Sequence, residues 1–407
     1  MKNILVISPY SLQHGIASGG QQRLYQLCRG LSKNNAVVLL DIYHPHSKKN
    51  LQDLEFQERT ITLNRTILAL QTLNSKVTKL KNVLFPFIAL SSLFNKEFKR
   101  ALKQYSAWAD VIVIEQPYLI FNIKKLRRNQ LLIYDAQNVE YLYYKALSKK
   151  PLYRLIIAQF VRFLEHRTVK RCDYMFSVSH IDKILFHKLY KTPLSNIIIV
   201  PNGVVVKSMS SSAAERQSTE KAKCTAKDKK VLLFVGSNHS PNVEAAEFIL
   251  FRLSQSLKDY LFFIVGNVTE GLKNKYKKTS VFSLPNIRYF NLIDEDRKMD
   301  IFRCCDIALN PIFSGSGTNF KVLEYMAAGI PVVTTPFGAR GLAIQDNNHA
   351  IISHEDDFVS NIRALLKNKA LCERLIVNAR KLVEDTYDWE VLMRKAEDAI
   401  NARCHAS

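Results

Sequence analysis

Several common features are absent from this sequence of 407 residues, and each absence narrows the class of protein. There is no uninterrupted apolar run of about 20 residues, which predicts that no segment spans a membrane. The seven cysteines form no Cys-x-x-Cys pair and no zinc-type Cys/His spacing, and this usage fits a reducing cytoplasm. The start MKNILVIS, followed directly by polar residues, predicts no signal peptide.

Acidic residues are scarce in one half of the chain. The whole sequence has 58 Lys and Arg against 36 Asp and Glu, a net charge of +22. Residues 1–206 hold 30 basic and 12 acidic residues, whereas residues 207–407 hold 28 and 24. The excess therefore lies in the first half and indicates an anionic partner: nucleic acid, an anionic membrane surface or a phosphorylated substrate.

The remaining composition is that of a globular protein, with 47% hydrophobic and 23% charged residues. Such usage excludes a disordered or fibrous chain, and the length predicts two domains. We place the first domain at residues 1–207, a polar linker at 208–229 and the second domain at 230–385. Residues 386–407 are predicted to form a helix that crosses back to the first domain.

One local pattern occurs at the start of each half. An apolar run, a Gly-containing loop and a helix-like stretch follow each other from Ile4 to Leu31, and again from Val231 past the helix start at Ser240-Pro241. Short β-branched runs then alternate with helical patterns, which predicts an α/β class with parallel sheets covered by helices. Ligands are expected beyond the carboxyl ends of the strands. The other predicted strands are 37–42, 111–114, 131–134, 197–200, 262–265, 307–309 and 331–335.

The most informative segment is 310–335, NPIFSGSGTNFKVLEYMAAGIPVVTT. A strand is followed by a Gly-rich loop and by a helix from about Thr318 to Gly329, and a helix N-terminus favours a phosphate. Lys321 and Glu324 are three residues apart and share a helix face. Lys321 can neutralise a diphosphate, and Glu324 can accept hydrogen bonds from a vicinal diol such as a ribose. The alternative is that the two residues form an ordinary exposed ion pair.

The sequence resembles glycosyltransferase family 4, the retaining nucleotide-sugar glycosyltransferases of GT-B fold. GSGTNFKVLEYMAAGIPVVTT is similar to the donor-binding signature of that family. The resemblance implies two Rossmann-like domains whose parallel sheets face a central cleft, and a hexosyltransferase-type enzyme without a separate cofactor. Further matching pieces are the Gly19-Gly20 loop, 135–140, 200–204, 234–237, 264–266, 338–342 and 387–390.

The resemblance also implies roles for individual residues. Glu324 would bind the donor ribose, Lys321 the diphosphate, and Gly20 would approach the donor phosphate from the first domain. The residues implied in catalysis are Gln137, Ser316 and Lys321. Those implied in substrate binding are Gly19, Gly20, Asn138, Gly236, Ser237, Gly315, Gly317, Thr318, Asn319 and Glu324.

Two positions depart from the family pattern. Ser316 stands eight residues before Glu324, where relatives commonly have a second Glu, and Gln137 stands where many have His. Gln137 offers hydrogen bonds without proton transfer, which favours positional over acid–base catalysis. The structural alternative is that Gln137 is a hydrogen-bonded residue that shapes the wall of the cleft. No Asp-x-Asp metal motif lies in a suitable loop, since Asp294-Glu295-Asp296 is predicted to start an exposed helix, so no metal is predicted.

The family resemblance assigns the first domain to the acceptor, and the basic residues of this domain indicate an anionic partner there. Basic residues between Lys76 and Lys103 flank the apolar stretch 83–94, and residues 124–171 contain twelve basic and three acidic residues with interleaved Tyr and Phe. Both segments favour an anionic membrane surface, although solvated helices packed on the sheet are the alternative. No nucleic-acid-binding signature accompanies them, so no nucleic acid partner is predicted.

These observations together predict a cytoplasmic glycosyltransferase at the inner face of the membrane. It would transfer a sugar from a nucleoside diphosphate sugar to a lipid-linked or glycan acceptor in polysaccharide or lipopolysaccharide biosynthesis. The alternatives are a non-catalytic nucleotide-sugar-binding scaffold of the same fold and a nucleotide-sugar epimerase.

Overall fold

The computed structural model of the chain divides into two compact units. Unit 1 comprises Met1–Pro201 and Leu392–Ser407, and unit 2 comprises Asn202–Val391. The predicted linker 208–229 lies outside the described residues except for its last position, so the sequence-based domain limits stay predictions. The residues that the structure describes are 1–12, 19–43, 54–62, 88–147, 151–206, 229–276, 280–291, 293–315 and 318–404.

Unit 1 is built on a sheet of seven parallel strands in the order β3-β2-β1-β4-β5-β6-β7. The central strands β1, β4 and β5 are buried along nearly their whole length, because helices cover both faces of a parallel sheet. The strands are β1 Asn3–Ser8, β2 Ala36–Tyr43, β3 Gln57–Thr62, β4 Val111–Glu115, β5 Leu131–Ala136, β6 Tyr174–Ser177 and β7 Ile197–Ile199.

The helices of unit 1 connect these strands. Helix α3 begins at an Asn95 cap that accepts a hydrogen bond from the Phe98 amide, and α6 begins at a Ser179 cap that accepts one from Asp182. The helices are α1 Gly19–Ser32, α2 Ile88–Ser91, α3 Lys96–Trp108, α4 Glu140–Leu147, α5 Pro151–Arg171 and α6 His180–Tyr190.

Unit 2 repeats the architecture with six parallel strands in the order β10-β9-β8-β11-β12-β13. In both sheets the chain builds outward from a central first strand and then returns to fill the other side, which is the doubly wound arrangement. The strands are β8 Val231–Val235, β9 Leu261–Val265, β10 Ile287–Phe290, β11 Ile307–Asn310, β12 Val332–Thr334 and β13 Ile351–Ile352.

Helices of unit 2 start where the sequence predicts caps. Helix α7 has Pro241 in its first turn, and the Asp294 side chain caps α10 by accepting a hydrogen bond from the Arg297 amide at 2.8 Å. The helices are α7 Ser240–Phe248, α8 Ser254–Ser256, α9 Val268–Lys275, α10 Glu295–Cys304, α11 Phe320–Ala327, α12 Phe358–Lys367 and α13 Lys369–Thr386. The last helix, α14 Trp389–Cys404, starts in unit 2 and continues into unit 1. A π-helical turn, Ile249–Leu253, joins α7 to α8.

Most of helix α14 belongs to unit 1 and packs on helix α1. A Cβ at Gly30 would lie 2.1 Å from the Cγ of Met393, so the glycine is what allows this close approach. The side chains of Asn34 and Asn35 donate to the two carboxylate oxygens of Glu397 at 2.9 and 2.8 Å. Unit 1 is thus completed by residues from the far end of the chain.

These two sheets confirm the predicted α/β class of two Rossmann-like domains with parallel sheets. In the part of the chain that the structure describes, no helix has the length and hydropathy needed to cross a membrane.

Candidate active site

The predicted donor-site residues of unit 2 lie around the carboxyl edge of its sheet. Gly236 and Ser237 directly follow β8, and Gly315 lies in the loop after β11, the neighbouring strand. Ser316 and Gly317 are outside the described residues, so their roles stay predictions.

Two glycines at this edge have backbones that other residues rarely adopt. Gly266, after β9, has φ of +99°, and a Cβ there would lie 2.4 Å from the carbonyl oxygen of Gly236. Gly315 has φ of +114°, and its Cβ would lie 2.9 Å from the Cγ of Pro241. Glycine at these positions permits the close passage of neighbouring segments that the edge requires.

Asn242 joins Ser237 to Lys321, and we call these three residues the Lys321 cluster. The Asn242 amide donates to the carbonyl oxygen and to Oγ of Ser237, at 3.1 and 3.0 Å. Its Oδ1 accepts a hydrogen bond of 2.6 Å from the Lys321 Nζ, which also lies 4.5 Å from the centroid of the Phe234 ring. The ammonium is therefore held at a fixed place by an amide and an aromatic face.

The environment of Lys321 changes its protonation. The side chain is partly buried, and this burial lowers the pKa of Lys321 from 10.5 to about 7 although the nearby Glu324 carboxylate opposes the shift. A lysine held close to its titration point gains a full charge when an anion arrives. Such a group is suited to bind a diphosphate.

Glu324 has a different partner from Lys321. Its Oε1 accepts a hydrogen bond of 3.1 Å from the Nζ of Lys298 on α10, and Lys298 also contacts Glu295 at 2.8 Å. Burial alone would lower the pKa of Lys298, but the two carboxylates raise it above its usual value. Lys321 and Glu324 thus have separate hydrogen-bond partners in place of the simple ion pair considered above.

Helix α11 is fixed to the sheet below these residues. The Val235 amide donates to the buried Tyr325 hydroxyl at 2.8 Å, and the neighbours of Lys321 and Glu324 along the helix are largely buried. Asn319 precedes the helix, and its side chain donates to the Gly338 carbonyl oxygen at 3.0 Å without capping α11. The first-turn amides of α11, after Thr318 and Asn319, are therefore not taken by that side chain, which suits anion binding.

Unit 1 brings a second group of predicted residues together at the carboxyl edge of its own sheet. The Gln137 amide donates to the carboxylate of Glu115 and, at 3.3 Å, to the Gly20 carbonyl oxygen. A Cβ at Gly20 would lie 2.5 Å from the Gln137 Oε1, so glycine is needed for the contact. The Ser8 hydroxyl donates to the other Glu115 oxygen at 2.6 Å. We call Ser8, Glu115 and Gln137 the Glu115 cluster.

Glu115 is a buried carboxylate that the sequence reasoning missed. Its exposed fraction is 0%, and burial raises its pKa from 4.5 to about 8, although bonds from Ser8 and Gln137 lower it. Beside it, the buried Arg23 binds Asp135 through two nitrogens, at 2.9 and 2.5 Å, and donates to the Val200 carbonyl oxygen at 2.9 Å.

Replacing Glu115 with glutamine should change how stability depends on pH. Since the folded pKa of Glu115 is raised, its carboxyl stabilises the fold at low pH, and this contribution is lost as pH rises towards about 8. Relative to wild type, Glu115→Gln should gain unfolding free energy by roughly 1.4 kcal/mol per pH unit across this window. Denaturant unfolding at several pH values measures it, and the exposed Glu97→Gln serves as the matched control. A constant difference between Glu115→Gln and wild type would contradict the raised pKa.

A further carboxylate network lies next to Gln137. Asn138 donates to Glu140 at 3.4 Å, and the Glu140 and Tyr141 amides donate to the buried Glu165 at 2.7 and 3.2 Å. Glu165 also accepts from the Tyr190 hydroxyl at 2.5 Å, and burial raises its pKa to about 8. This network anchors the first turn of α4, directly after the predicted Gln137-Asn138 site.

The residues missed by the sequence reasoning share one property, since each acts through a distant partner. Asn242, Lys298 and Glu115 belong to no motif, and the apolar run before Glu115 only indicated a strand end.

Gly19 begins α1 and is exposed, and no contact of its own assigns it a role. Across the described ranges, no group of three or more His, Cys, Asp or Glu residues is placed to hold a metal ion.

Comparison with known proteins agrees with this geometry. Residues 229–368 match the family model described as glycosyl transferases group 1, which covers the Lys321 cluster and Glu324. An uncharacterised glycosyltransferase from Methanocaldococcus jannaschii is 22% identical over 54% of this chain and 56% of its own length. A phosphatidyl-myo-inositol mannosyltransferase from Mycobacterium leprae is 25% identical over 49% of this chain and 51% of its own. The chain thus spans about half the length of the curated relatives it matches.

Solved structures resemble the chain over its full length. Sucrose-phosphate synthase from Thermosynechococcus elongatus has a TM-score of 0.75 at 14% identity, covering 100% of both chains. Anabaena HepE in complex with UDP-glucose has a TM-score of 0.68 at 12% identity, covering 99% of this chain and 100% of its own. WaaG, a glycosyltransferase involved in lipopolysaccharide biosynthesis, has a TM-score of 0.64 at 19% identity, covering 98% of this chain and 99% of its own. The predicted resemblance to glycosyltransferases of GT-B fold is confirmed, and membership of family 4 in particular stays a prediction.

Proposed function

We propose that this protein is a retaining glycosyltransferase that moves a sugar from a nucleoside diphosphate sugar to a hydroxyl of a lipid-linked or cell-surface glycan acceptor. The observation that carries the proposal is that Lys321 and Glu324 lie on the same helix, α11, beside the carboxyl edge of the unit 2 sheet. Each is held there by its own polar partner, Asn242 and Lys298 respectively. It lies inside the segment that matches the group 1 family model.

The chemistry of unit 2 suits a nucleoside diphosphate. Lys321 meets the diphosphate, and the charge it gains there is compensated by the phosphate oxygens. Glu324 accepts hydrogen bonds from the ribose hydroxyls while Lys298 holds its carboxylate in place. The backbone at Gly315, and at Thr318 and Asn319 beyond it, supplies N–H groups. The UDP-glucose bound to HepE supports a uridine nucleotide as the first donor to test.

The residues of unit 1 would contribute by holding the substrate in place with hydrogen bonds. Gln137, held by Glu115 and Gly20, offers a hydrogen-bonding amide and no titrating group. Proton transfer in a retaining step then passes from the incoming hydroxyl to a phosphate oxygen of the leaving group on the same face of the sugar. No protein base and no metal ion is needed in this scheme.

The acceptor is proposed to be lipid-linked because of the charge of residues 1–206, where 30 basic residues stand against 12 acidic ones. An anionic membrane surface would attract such a region and raise the local concentration of a lipid acceptor. WaaG is involved in lipopolysaccharide biosynthesis, and the mycobacterial relative is a phosphatidyl-myo-inositol mannosyltransferase, so both support this class of acceptor. Peripheral association with the cytoplasmic membrane face is part of the proposal.

A transfer assay tests the proposal. The protein is incubated with a panel of radiolabelled nucleotide sugars and bacterial membrane extract, and label is expected in a lipid or glycan fraction. Tight nucleotide binding without any transfer would instead indicate a scaffold protein. Conversion of the free donor into another sugar nucleotide without acceptor would indicate an epimerase.

Replacing Glu324 with alanine should weaken nucleoside diphosphate binding by about a hundredfold, because two hydrogen bonds from the ribose to a charged group are lost. Titration calorimetry with UDP measures the change. Glu270→Ala removes an exposed carboxylate from the nearby helix α9 and is the matched control. An affinity of Glu324→Ala equal to that of the control would remove Glu324 from the site.

A further inference from the structure

Helix α5 of unit 1 carries apolar side chains on both of its sides. Ile157, Ala158, Val161 and Leu164 face the core and are buried. On the outward side, Leu155, Ile156 and Phe163 are 57%, 59% and 52% exposed. Phe163 contacts Phe121 of unit 1, with ring centroids 6.0 Å apart, and still leaves half of its surface in water. Three large and half-exposed apolar side chains on one helix indicate an interaction surface.

The same outward side carries positive charge. The cations Arg162, Arg167 and Lys170 lie among the exposed apolar residues at helical spacing, together with the His166 imidazole. In the part of the chain that the structure describes, none of these four forms a salt bridge. The nearby Glu165 points inward, and burial raises its pKa to about 8, so near neutral pH it adds little negative charge. We call the outward side of residues 155–170 the α5 face.

A cavity opens on the α5 face between α5 and α6. Its volume is about 290 Å³. The His166 ring is stacked on the Tyr190 ring with centroids 5.9 Å apart, and the Arg162 guanidinium lies 5.3 Å from the Tyr141 ring. The cavity thus combines the Arg162 guanidinium and the His166 imidazole with aromatic walls. The lining residues are Gln159, Arg162, Phe163, His166, Leu189 and Tyr190.

The position of the α5 face relates it to the acceptor side. Strand β5 ends at Ala136 and β6 starts at Tyr174, and the two strands are parallel neighbours. Helices α4 and α5 connect them, and Glu165 of α5 accepts hydrogen bonds from the Glu140 and Tyr141 amides of α4. Helix α5 therefore lies beside the start of α4, which directly follows Gln137 and Asn138.

We propose that the α5 face docks on an anionic phospholipid bilayer, with Leu155, Ile156 and Phe163 entering the headgroup region and a lipid phosphate lying in the cavity beside Arg162 and His166. On such a surface the apolar side chains contact the acyl-chain boundary, and the neighbouring cations contact the phosphates of the headgroups. A nucleic acid would leave the apolar residues without partners. The inference rests on the proposed function only in that a lipid-held acceptor would then meet unit 1 at its carboxyl edge.

Vesicle sedimentation with the full chain tests the proposal, without donor or acceptor. Wild type should bind vesicles of phosphatidylcholine mixed with phosphatidylglycerol and should bind pure phosphatidylcholine weakly, with binding to the mixture reduced by salt. The double variant Leu155→Ser/Ile156→Ser should lower binding to the mixture by about tenfold, and Arg162→Gln should lower it by roughly fivefold. Val377→Ser and Lys381→Gln change exposed residues of α13 and are the matched controls.

A fluorescence shift gives a second readout that does not depend on the loss of binding. The emission of a Phe163→Trp variant should move to shorter wavelength with the anionic vesicles, and that of Val377→Trp should not. Equal vesicle binding by wild type and the α5 variants, or an equal loss in the α13 controls, would overturn the proposal. UDP binding by the same preparations is measured separately, so a failure of the proposed donor site would be seen there and not in the vesicle result.

Discussion

Lys321→Met should weaken the binding of UDP by about a hundredfold near pH 6 and by much less at pH 9, since a charge-assisted contact to a diphosphate is lost only where the lysine is charged. The free protein holds the pKa of Lys321 at about 7 because the side chain is partly buried, with its ammonium against Phe234 and Asn242. Below that pH the lysine is already charged when the nucleotide arrives.

The sign of the pH dependence follows from the proton count. Above about pH 7 the free lysine has lost its proton, and the diphosphate must draw one from solution to bind. Wild-type affinity should therefore fall as pH rises, by up to tenfold per pH unit. Lys321→Met carries no titrating group and should show a flat profile over the same range.

Calorimetry in buffers of different ionisation enthalpy measures this proton uptake directly. Lys273→Met, on the exposed side of α9, is the matched control and should retain the wild-type profile. A wild-type affinity that stays constant between pH 6 and pH 9 would contradict the role given to Lys321, and so would an equal slope in Lys321→Met.

Arg23→Met should cost about 3–5 kcal/mol of unfolding free energy, the largest stability effect expected in unit 1. Arg23 is 1% exposed and Asp135 is 0% exposed, so the substitution leaves a buried carboxylate without its partner. It also removes the donor to the Val200 carbonyl oxygen.

Arg29→Met on the same helix is the matched control. Arg29 contacts Glu55 at 3.0 Å with both side chains partly exposed, and such a pair contributes about 0–1 kcal/mol. Denaturant unfolding followed by circular dichroism compares the two variants, and the double variant Arg23→Met/Asp135→Asn should recover part of the loss. A loss in Arg23→Met as small as that in Arg29→Met would contradict the importance of the buried pair.

The central strands were predictable because they are buried on both faces and read as apolar runs. Strands β1, β4, β8 and β11 were all predicted from such runs. Strand β3 has the polar sequence QERTIT at a sheet edge, β6 has four residues and β13 two, so none of the three gave a periodic signal. The start of α7 was predictable because a proline in the first helical turn is a local feature.

The candidate site shows the same limit at the level of side chains. The spacing of Lys321 and Glu324 predicted that they share a helix face, which depends only on helical geometry. Their partners Asn242 and Lys298 are 79 and 26 residues away, and only the packing of α7 and α10 beside α11 brings them close. Glu115 had no signal beyond its place after an apolar strand, since burial is a property of the folded sheet.

The contribution of α14 to unit 1 has a consequence for the order of events during protein synthesis. Residues 1–201 leave the ribosome first, but the surface around Gly30 that receives Met393 stays uncovered until the residues beyond unit 2 have been translated. Unit 2 has all of its sequence by residue 391 and can fold before that moment. The N-terminal part of this protein is therefore the last to be completed, the reverse of the usual order in which domains mature from the amino terminus.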